Sequence, residues 1–269
     1  MISAKTIKIF SQVGGKYCKN GNFGDNLTKF FLEKLLEYKV DILSKYSKLN
    51  FTQLTGIGSI LHRVHLDYTG YIWTSGFGFA CKNKTFSNAK VIAVRGKETL
   101  KRINCINKDK VILGDGGLLC YLFKNNTIKK KYKLGIIPHY IDKNNSIVKN
   151  IADKCKDIKI IDICGCENVM EDIQCCEYII SSSLHGLITA DSFGIPNDWV
   201  KLSNNVGGNG FKFKDYYSVF DIENPEPIIL NDNDTLTSII KKILKQDYER
   251  KNIGIIAERL LCSLNEIIL

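Results

Sequence analysis

Apolar residues in this chain come in short runs that stop at glycine or serine, and between those runs they recur at helical spacing. Residues 5–10 alternate as a strand does, and 25–37 carry Leu27, Phe30, Phe31 and Leu35 on one helical face. The intervening stretch 13–24 holds Gly14, Gly15, Gly21 and Gly24 and reads as a loop, with Asp25 placed to cap the helix. Further apolar runs at 71–74, 91–94 and 111–113 end at Gly76 and Gly78, at Arg95 and Gly96, and at the glycines of 114–117. The segment 97–103 has the composition of a short helix. Such alternation predicts an α/β fold with a mostly parallel sheet covered on both faces, whose ligands bind beyond the carboxyl ends of the strands.

Residues 124–133 break the pattern with five lysines, two asparagines and no apolar period, which marks a linker. After it the alternation restarts, with strands expected at 133–138, 158–163 and 178–180 and helices at 144–155, 167–176 and 184–193. Two Rossmann-like domains facing across a cleft, 1–125 and 126–269, account for this order. Amphipathic helices at 234–245 and 252–268 then close the chain. A length of 269 residues accommodates either one large domain or two of about 100 to 150 residues.

The segment 178–196 carries the strongest chemical signal. Its strand should end near Ile180, and a helix starting between Ser182 and His185 would aim unpaired backbone N–H groups and serine hydroxyls at a phosphate or carboxylate. An imidazole at that place can move protons, although a hydrogen-bonded structural role is the plain alternative. Arg95 follows the run 91–94 directly, where a guanidinium can grip an anion through two parallel hydrogen bonds. A structural ion pair is an equal reading for it. His139 sits at a strand end and can face the cleft, whereas His62 and His65 lack an acidic third ligand and read as surface or packing residues. Gly56 with Gly58, and Gly76 with Gly78, begin like dinucleotide fingerprints, but Leu61 and Cys81 replace the third glycine.

Composition adds limits. Hydrophobic content of 44% with 25% charge is that of a globular protein, and no apolar run reaches the roughly 18 residues that span a bilayer. Residues 1–10 lack the features of a secretory signal, so a cytoplasmic protein is expected. The net charge of +10 suits an anionic phosphorylated ligand or a peripheral membrane contact. No module interleaving basic and aromatic residues speaks for nucleic acid. The ten cysteines include only two close pairs, Cys164 with Cys166 and Cys175 with Cys176, neither spaced for zinc, so reduced thiols and no metal are expected.

NFGDN at 22–26, VRGKE at 94–98, ILGD at 112–115, SSLHG at 182–186, FGIP at 193–196 and GFKFKDY at 210–216 stand in an order that resembles the polysaccharide pyruvyl transferase family, over about residues 5–220. The resemblance implies a GT-B-like fold, phosphoenolpyruvate as donor with no further cofactor, and a saccharide acceptor, lipid-linked in some settings. The product would be a pyruvate ketal on a sugar hydroxyl pair, with release of phosphate. It makes His185 the proton-transfer residue and Arg95 an anchor for the donor anion. Its substrate-binding set is Ser182, Ser183, Gly186, Lys212, Asp25, Asn26 and His139. A sugar-nucleotide glycosyltransferase of similar shape and a non-enzymatic binder of anionic glycans are the competing readings. The chain beyond Ile222 matches no motif of the family.

Overall fold

The computed structural model describes residues 5–10, 21–43, 51–246 and 249–267; Gly14 and Gly15 of the expected first loop, and the last residue of the helix expected to reach 268, lie outside them. The first half of the chain forms strands β1 (Thr6–Phe10), β2 (Lys39–Leu43), β3 (Leu54–Thr55), β4 (Tyr71–Ser75), β5 (Lys84–Phe86), β6 (Lys90–Val94), β7 (Ile103–Cys105) and β8 (Ile112–Leu113), with helices α1 (Phe23–Leu35) and α2 (Lys97–Arg102). Six of these strands build one parallel sheet in the order β2-β1-β3-β4-β6-β8, and β5 pairs with β7 apart from it. The second half contributes β9 (Tyr132–Ile137), β10 (Ile158–Ile160), β11 (Cys176–Ser181), β12 (Asn197–Lys201) and β13 (Ile228–Ile229), a parallel sheet in the order β10-β9-β11-β12-β13. Its helices are α3 (Ser146–Asp153), α4 (Glu167–Gln174), α5 (Leu184–Ser192), α6 (Phe211–Tyr217), α7 (Leu236–Gln246) and α8 (Ile253–Ser263).

Strands covered on both faces read as unbroken apolar runs, and Leu134, Ile136, Ile137, Ile179 and Ile180 are all buried accordingly. Helix α1 starts at Phe23 and is capped by Asn22, whose side chain accepts the Gly24 N–H at 3.0 Å. The capping role expected of Asp25 is thereby corrected: Asp25 lies in the first turn, where the helix dipole favours its charge. Strand β10 stops at Ile160 rather than at residue 163. The following residues turn toward the other half, where the Ile163 carbonyl accepts the Phe23 N–H at 2.9 Å. Among the described residues eight cysteines are free thiols, whereas Cys164 is disulfide-bonded, contrary to the expectation of reduced thiols throughout.

The residues 124–131 run between the sheets without strand or helix. They are pinned to the second half, with the Asn125 N–H donating to Gln174 Oε1 at 2.7 Å and Lys130 Nζ to the Cys176 carbonyl at 2.6 Å. Helix α8, expected among the elements closing the second half, returns to the first sheet. There the Trp73 indole N–H donates to Ser263 Oγ at 2.9 Å, and Leu260 and Ala257 join Trp73 and Ile92 in the core.

One apolar cluster runs from Ile7 and Ile9 of β1 through Phe23 and Leu27 of α1 and Leu118 and Leu119 to Leu187 and Ile188 of α5. Each such side chain contributes roughly 1.5–3 kcal/mol when buried, so the two halves are held together by a continuous core. In each sheet the strand order reverses once, between β1 and β3 and between β9 and β11. Loops leaving the carboxyl ends of such a pair diverge and open a crevice. Residues from both reversals meet at one small cavity.

Candidate functional site

From the first reversal come Asn22 and Asp25, at the start of α1, and Ser59, after β3. From the second come His139 and Tyr140, after β9, and Ser183, Leu184 and His185, after β11. Together with Ile60, His62, Arg63 and Lys212 these residues line a cavity of about 160 Å³.

The three serines after β11 have separate tasks. Ser181 Oγ donates to the Ser183 carbonyl at 2.7 Å and accepts the Ser183 N–H, which shapes the turn from strand to helix. Ser182 Oγ accepts the His139 N–H at 2.8 Å and reaches Asp142, tying the β9 and β11 loops together. Only Ser183 borders the cavity. It occupies the N-cap of α5 without making a side-chain cap bond, so a nine-residue helix presents its positive end to the cavity uncapped.

His185 is buried at the opening turn of α5, and its ring packs so closely on Gly24 that a Cβ there would come 1.8 Å from Nδ1. No residue but glycine fits at position 24 with the ring in place. Burial, with the positive charges of Arg95 and Lys212, lowers its pKa to about 3, so the imidazole is neutral here. Its Nε2 faces Asp115 Oδ2 at 3.8 Å, and neither atom has a hydrogen-bond partner. His139 is likewise held neutral, at about 3, by burial and by Lys212. Burial lowers the Lys212 ammonium to about 8 and raises the Asp25 carboxyl to about 6, against the pull of Lys212. Among the described residues the lining thus combines one carboxyl group, Lys212, Arg63, neutral imidazoles and a helix N-terminus: a place for an anion with proton carriers beside it.

Arg95 stands one layer behind. Its side chain is fully buried, with Nε donating to Asp215 Oδ2 at 2.9 Å, one terminal nitrogen to Ser59 Oγ at 2.5 Å and the other to the Phe77 carbonyl at 2.6 Å. Asp215 also accepts the Thr99 N–H and hydroxyl, each at 2.7 Å. Gly96 makes room for this, since a Cβ there would lie 1.8 Å from the Asp215 carbonyl oxygen. Arg95 therefore has the structural ion pair that was one of its two readings, and reaches the cavity through Ser59. Gly186 packs on Ser181 and Ile137, and Asn26 lies against Gly21; neither borders the cavity.

Several lining residues were not legible beforehand. His62, expected at the surface or in packing, forms part of the wall, where burial and the charges of Arg63 and Lys84 lower its pKa to about 4. Ser59, Arg63 and Tyr140 carry no motif, and only their place after β3 and β9 could have pointed to them. Asp115 and Asp215 sat inside noted motifs without an assigned role. Among the described residues no group of three or more His, Cys, Asp or Glu side chains could hold a metal ion, and no helix is long and apolar enough to cross a membrane.

Comparison with known proteins finds relatives of this chain. The uncharacterized protein L143 of Acanthamoeba polyphaga mimivirus is 33% identical over 228 residues, which cover 77% of this chain and 74% of that protein. The succinoglycan biosynthesis protein ExoV of Rhizobium meliloti (strain 1021) is 27% identical over 204 residues, 74% of this chain but 61% of its own length. The family model described as polysaccharide pyruvyl transferase matches residues 24–200, a span that includes Asp25, Arg95, Asp115 and His185. The chain belongs to the polysaccharide pyruvyl transferase family.

Proposed function

We propose that the protein transfers the pyruvyl group of phosphoenolpyruvate to two hydroxyls of a saccharide, forming a pyruvate ketal and releasing phosphate. The observation that carries this reading is the small cavity at the uncapped start of α5, with His185, Lys212 and Asp25 around it. At about 160 Å³ it suits a three-carbon phosphorylated acid better than a nucleotide sugar, since drug-sized ligands occupy pockets of roughly 300–1,000 Å³. The two parallel sheets, each reversing strand order at the site, are read as a GT-B-like pair, and the succinoglycan role of ExoV favours a polysaccharide or its precursor as acceptor.

In this scheme the donor phosphate lies over Ser183 and the first N–H groups of α5, and Lys212 neutralises its remaining charge. A bound donor with several negative charges favours the imidazolium, so its binding prepares His185 as an acid. His185 gives its proton to C3 of the enol, and the cationic C2 is attacked by one sugar hydroxyl. Asp25, the one carboxyl group among the described lining residues, accepts that hydroxyl's proton. The bond from C2 to the phosphate oxygen then breaks, and the proton on Asp25 leaves with the phosphate. The second hydroxyl attacks C2 and returns a proton to His185. Arg95 contributes by holding Ser59 at the wall and by its charge.

Incubating the protein with phosphoenolpyruvate and a panel of oligosaccharide acceptors, then measuring phosphate release and the mass of the acceptor, tests the proposal. The expected result is equimolar phosphate and an acceptor heavier by one pyruvate less water. Turnover of a nucleotide sugar with none of phosphoenolpyruvate would reverse the conclusion.

A further inference from the structure

Asp115 caps the 3-10 helix Gly116–Phe123, where its Oδ1 accepts the Gly117 N–H at 2.8 Å and its side chain is completely buried. Its second oxygen, Oδ2, has no hydrogen-bond partner. Facing that oxygen at 3.8 Å is Nε2 of His185, which is also buried and also without a partner. Buried polar atoms are rarely left unpaired, and here a donor and an acceptor of complementary chemistry stand about 1 Å beyond bonding distance. The other ring nitrogen, Nδ1, lies against Gly24, in the turn that also carries the cavity-lining residues Asn22 and Asp25. The imidazole therefore has one nitrogen toward a buried carboxyl and one toward the site.

We propose that Asp115 is the positioning carboxylate of His185: when the donor binds, the ring shifts so that Nε2–H donates to Oδ2, which leaves Nδ1 as the atom that gives and regains the substrate proton. Asp115 keeps its own charge throughout, and the proton moves only between Nδ1 and the substrate. The proposal rests on the pyruvyl transfer reading and adds to it the tautomer and the residue that sets it.

The surrounding charges explain why the pair stands 3.8 Å apart. Arg95 and Lys212 oppose a charged His185, while Asp25, His139, His62 and Arg63 face it from the cavity walls. Asp115 faces Arg95, which favours its anion, and Asp215, which does not; Cys120 and Tyr216 lie near it too. Burial holds the imidazole neutral, so the Asp115 carboxylate has no opposite charge on the ring to draw the two together. A polyanion in the cavity changes that balance by favouring the imidazolium, whose Nε2–H then has an acceptor waiting.

The test compares the full-length wild type with Asp115→Asn, whose amide N–H would donate to Nε2 and force the proton onto Nδ1. Nitrogen NMR of the His185 ring in the free protein should report Nε2–H in the wild type and Nδ1–H in the variant, and with phosphoenolpyruvate bound the wild-type ring should carry both protons, the one on Nε2 hydrogen-bonded. The variant's kcat should fall roughly 100-fold or more, with the donor KM within about threefold of wild type. A wild-type tautomer and kcat in Asp115→Asn would overturn the proposal. Should the variant fail to fold, the donor-bound wild type decides: a hydrogen-bonded Nε2–H proton supports the pairing, and a solvent-exchanging one refutes it. An active-site ring that behaves as stated in a protein that does not turn over phosphoenolpyruvate would count against pyruvyl transfer and not against Asp115.

Discussion

Among the described residues two buried pairs of a base and a carboxyl group face each other across the halves of this molecule, and they are built differently. Arg95 and Asp215 come from opposite halves and meet at 2.9 Å; all three guanidinium nitrogens are engaged, and the carboxylate accepts two further bonds from Thr99. Asp115 and His185 likewise come from opposite halves, yet they stand 3.8 Å apart with an atom on each side unpaired. Both sit behind or beside the same cavity. A pair whose bonds are complete holds its geometry and has nothing left to offer a substrate, whereas a pair left open retains a proton and a charge that can be redirected. The first fastens α6 to α2 and supports the wall; the second is where chemistry can take place.

The sharpest way to break this contrast is His185→Ala. Its kcat should fall by roughly 10²–10⁴, the range for loss of a general acid and base, while resistance to urea changes little. Intact turnover combined with a lowered urea midpoint would make His185 a structural residue and erase the difference. Next in size is Asp215→Ala, which leaves Arg95 buried without a counter-charge and should cost about 3–5 kcal/mol in urea unfolding. Asp115→Ala removes the unpartnered Oδ2 together with the Oδ1 that caps Gly117, and should cost about 1–2 kcal/mol by the same measurement, the loss of one helix cap. Equal losses from the two would mean that the open pair is also a fastening.

The smallest expected effect concerns pH. Lys212 titrates near 8 and is protonated below that value, so donor affinity should weaken as pH rises through about 8. A plot of log KM for phosphoenolpyruvate against pH should bend upward there. In Lys212→Met, KM should be raised at neutral pH and the bend should vanish. A bend of the same size in the variant would assign the titration to another group.

Much of the fold was legible from short windows of sequence. Parallel strands buried on both faces need unbroken apolar residues, and the runs around Val91, Ile136 and Ile179 could serve as little else. Strand β12 was not legible, because it opens with Asn197 and Asp198. Both are buried there, since Asn197 donates to Asp191 at 2.6 Å and Asp198 accepts the Trp199 N–H at 2.7 Å. Nor did the pattern tell that α8 would pack on the first sheet, as an amphipathic helix carries no mark of which surface receives its apolar face. Within the site, Ser183, His185 and His139 line the cavity where the local pattern put them and Lys212 and Asp25 where the resemblance did, whereas Ser182, Arg95, Asn26 and Gly186 do not line it.

What the sequence by itself determined was therefore local: alternating parallel elements, and a helix start with serines and a histidine beyond an apolar strand. Those features depend on dihedral preference, period and capping within a few residues. Tertiary structure alone decided which polar groups would be completed and which left open. Arg95 is satisfied by a residue 120 positions away, and His185 faces Asp115 from the other half of the chain. Desolvation and pairing are properties of the packed interior, and no neighbour along the chain announces them.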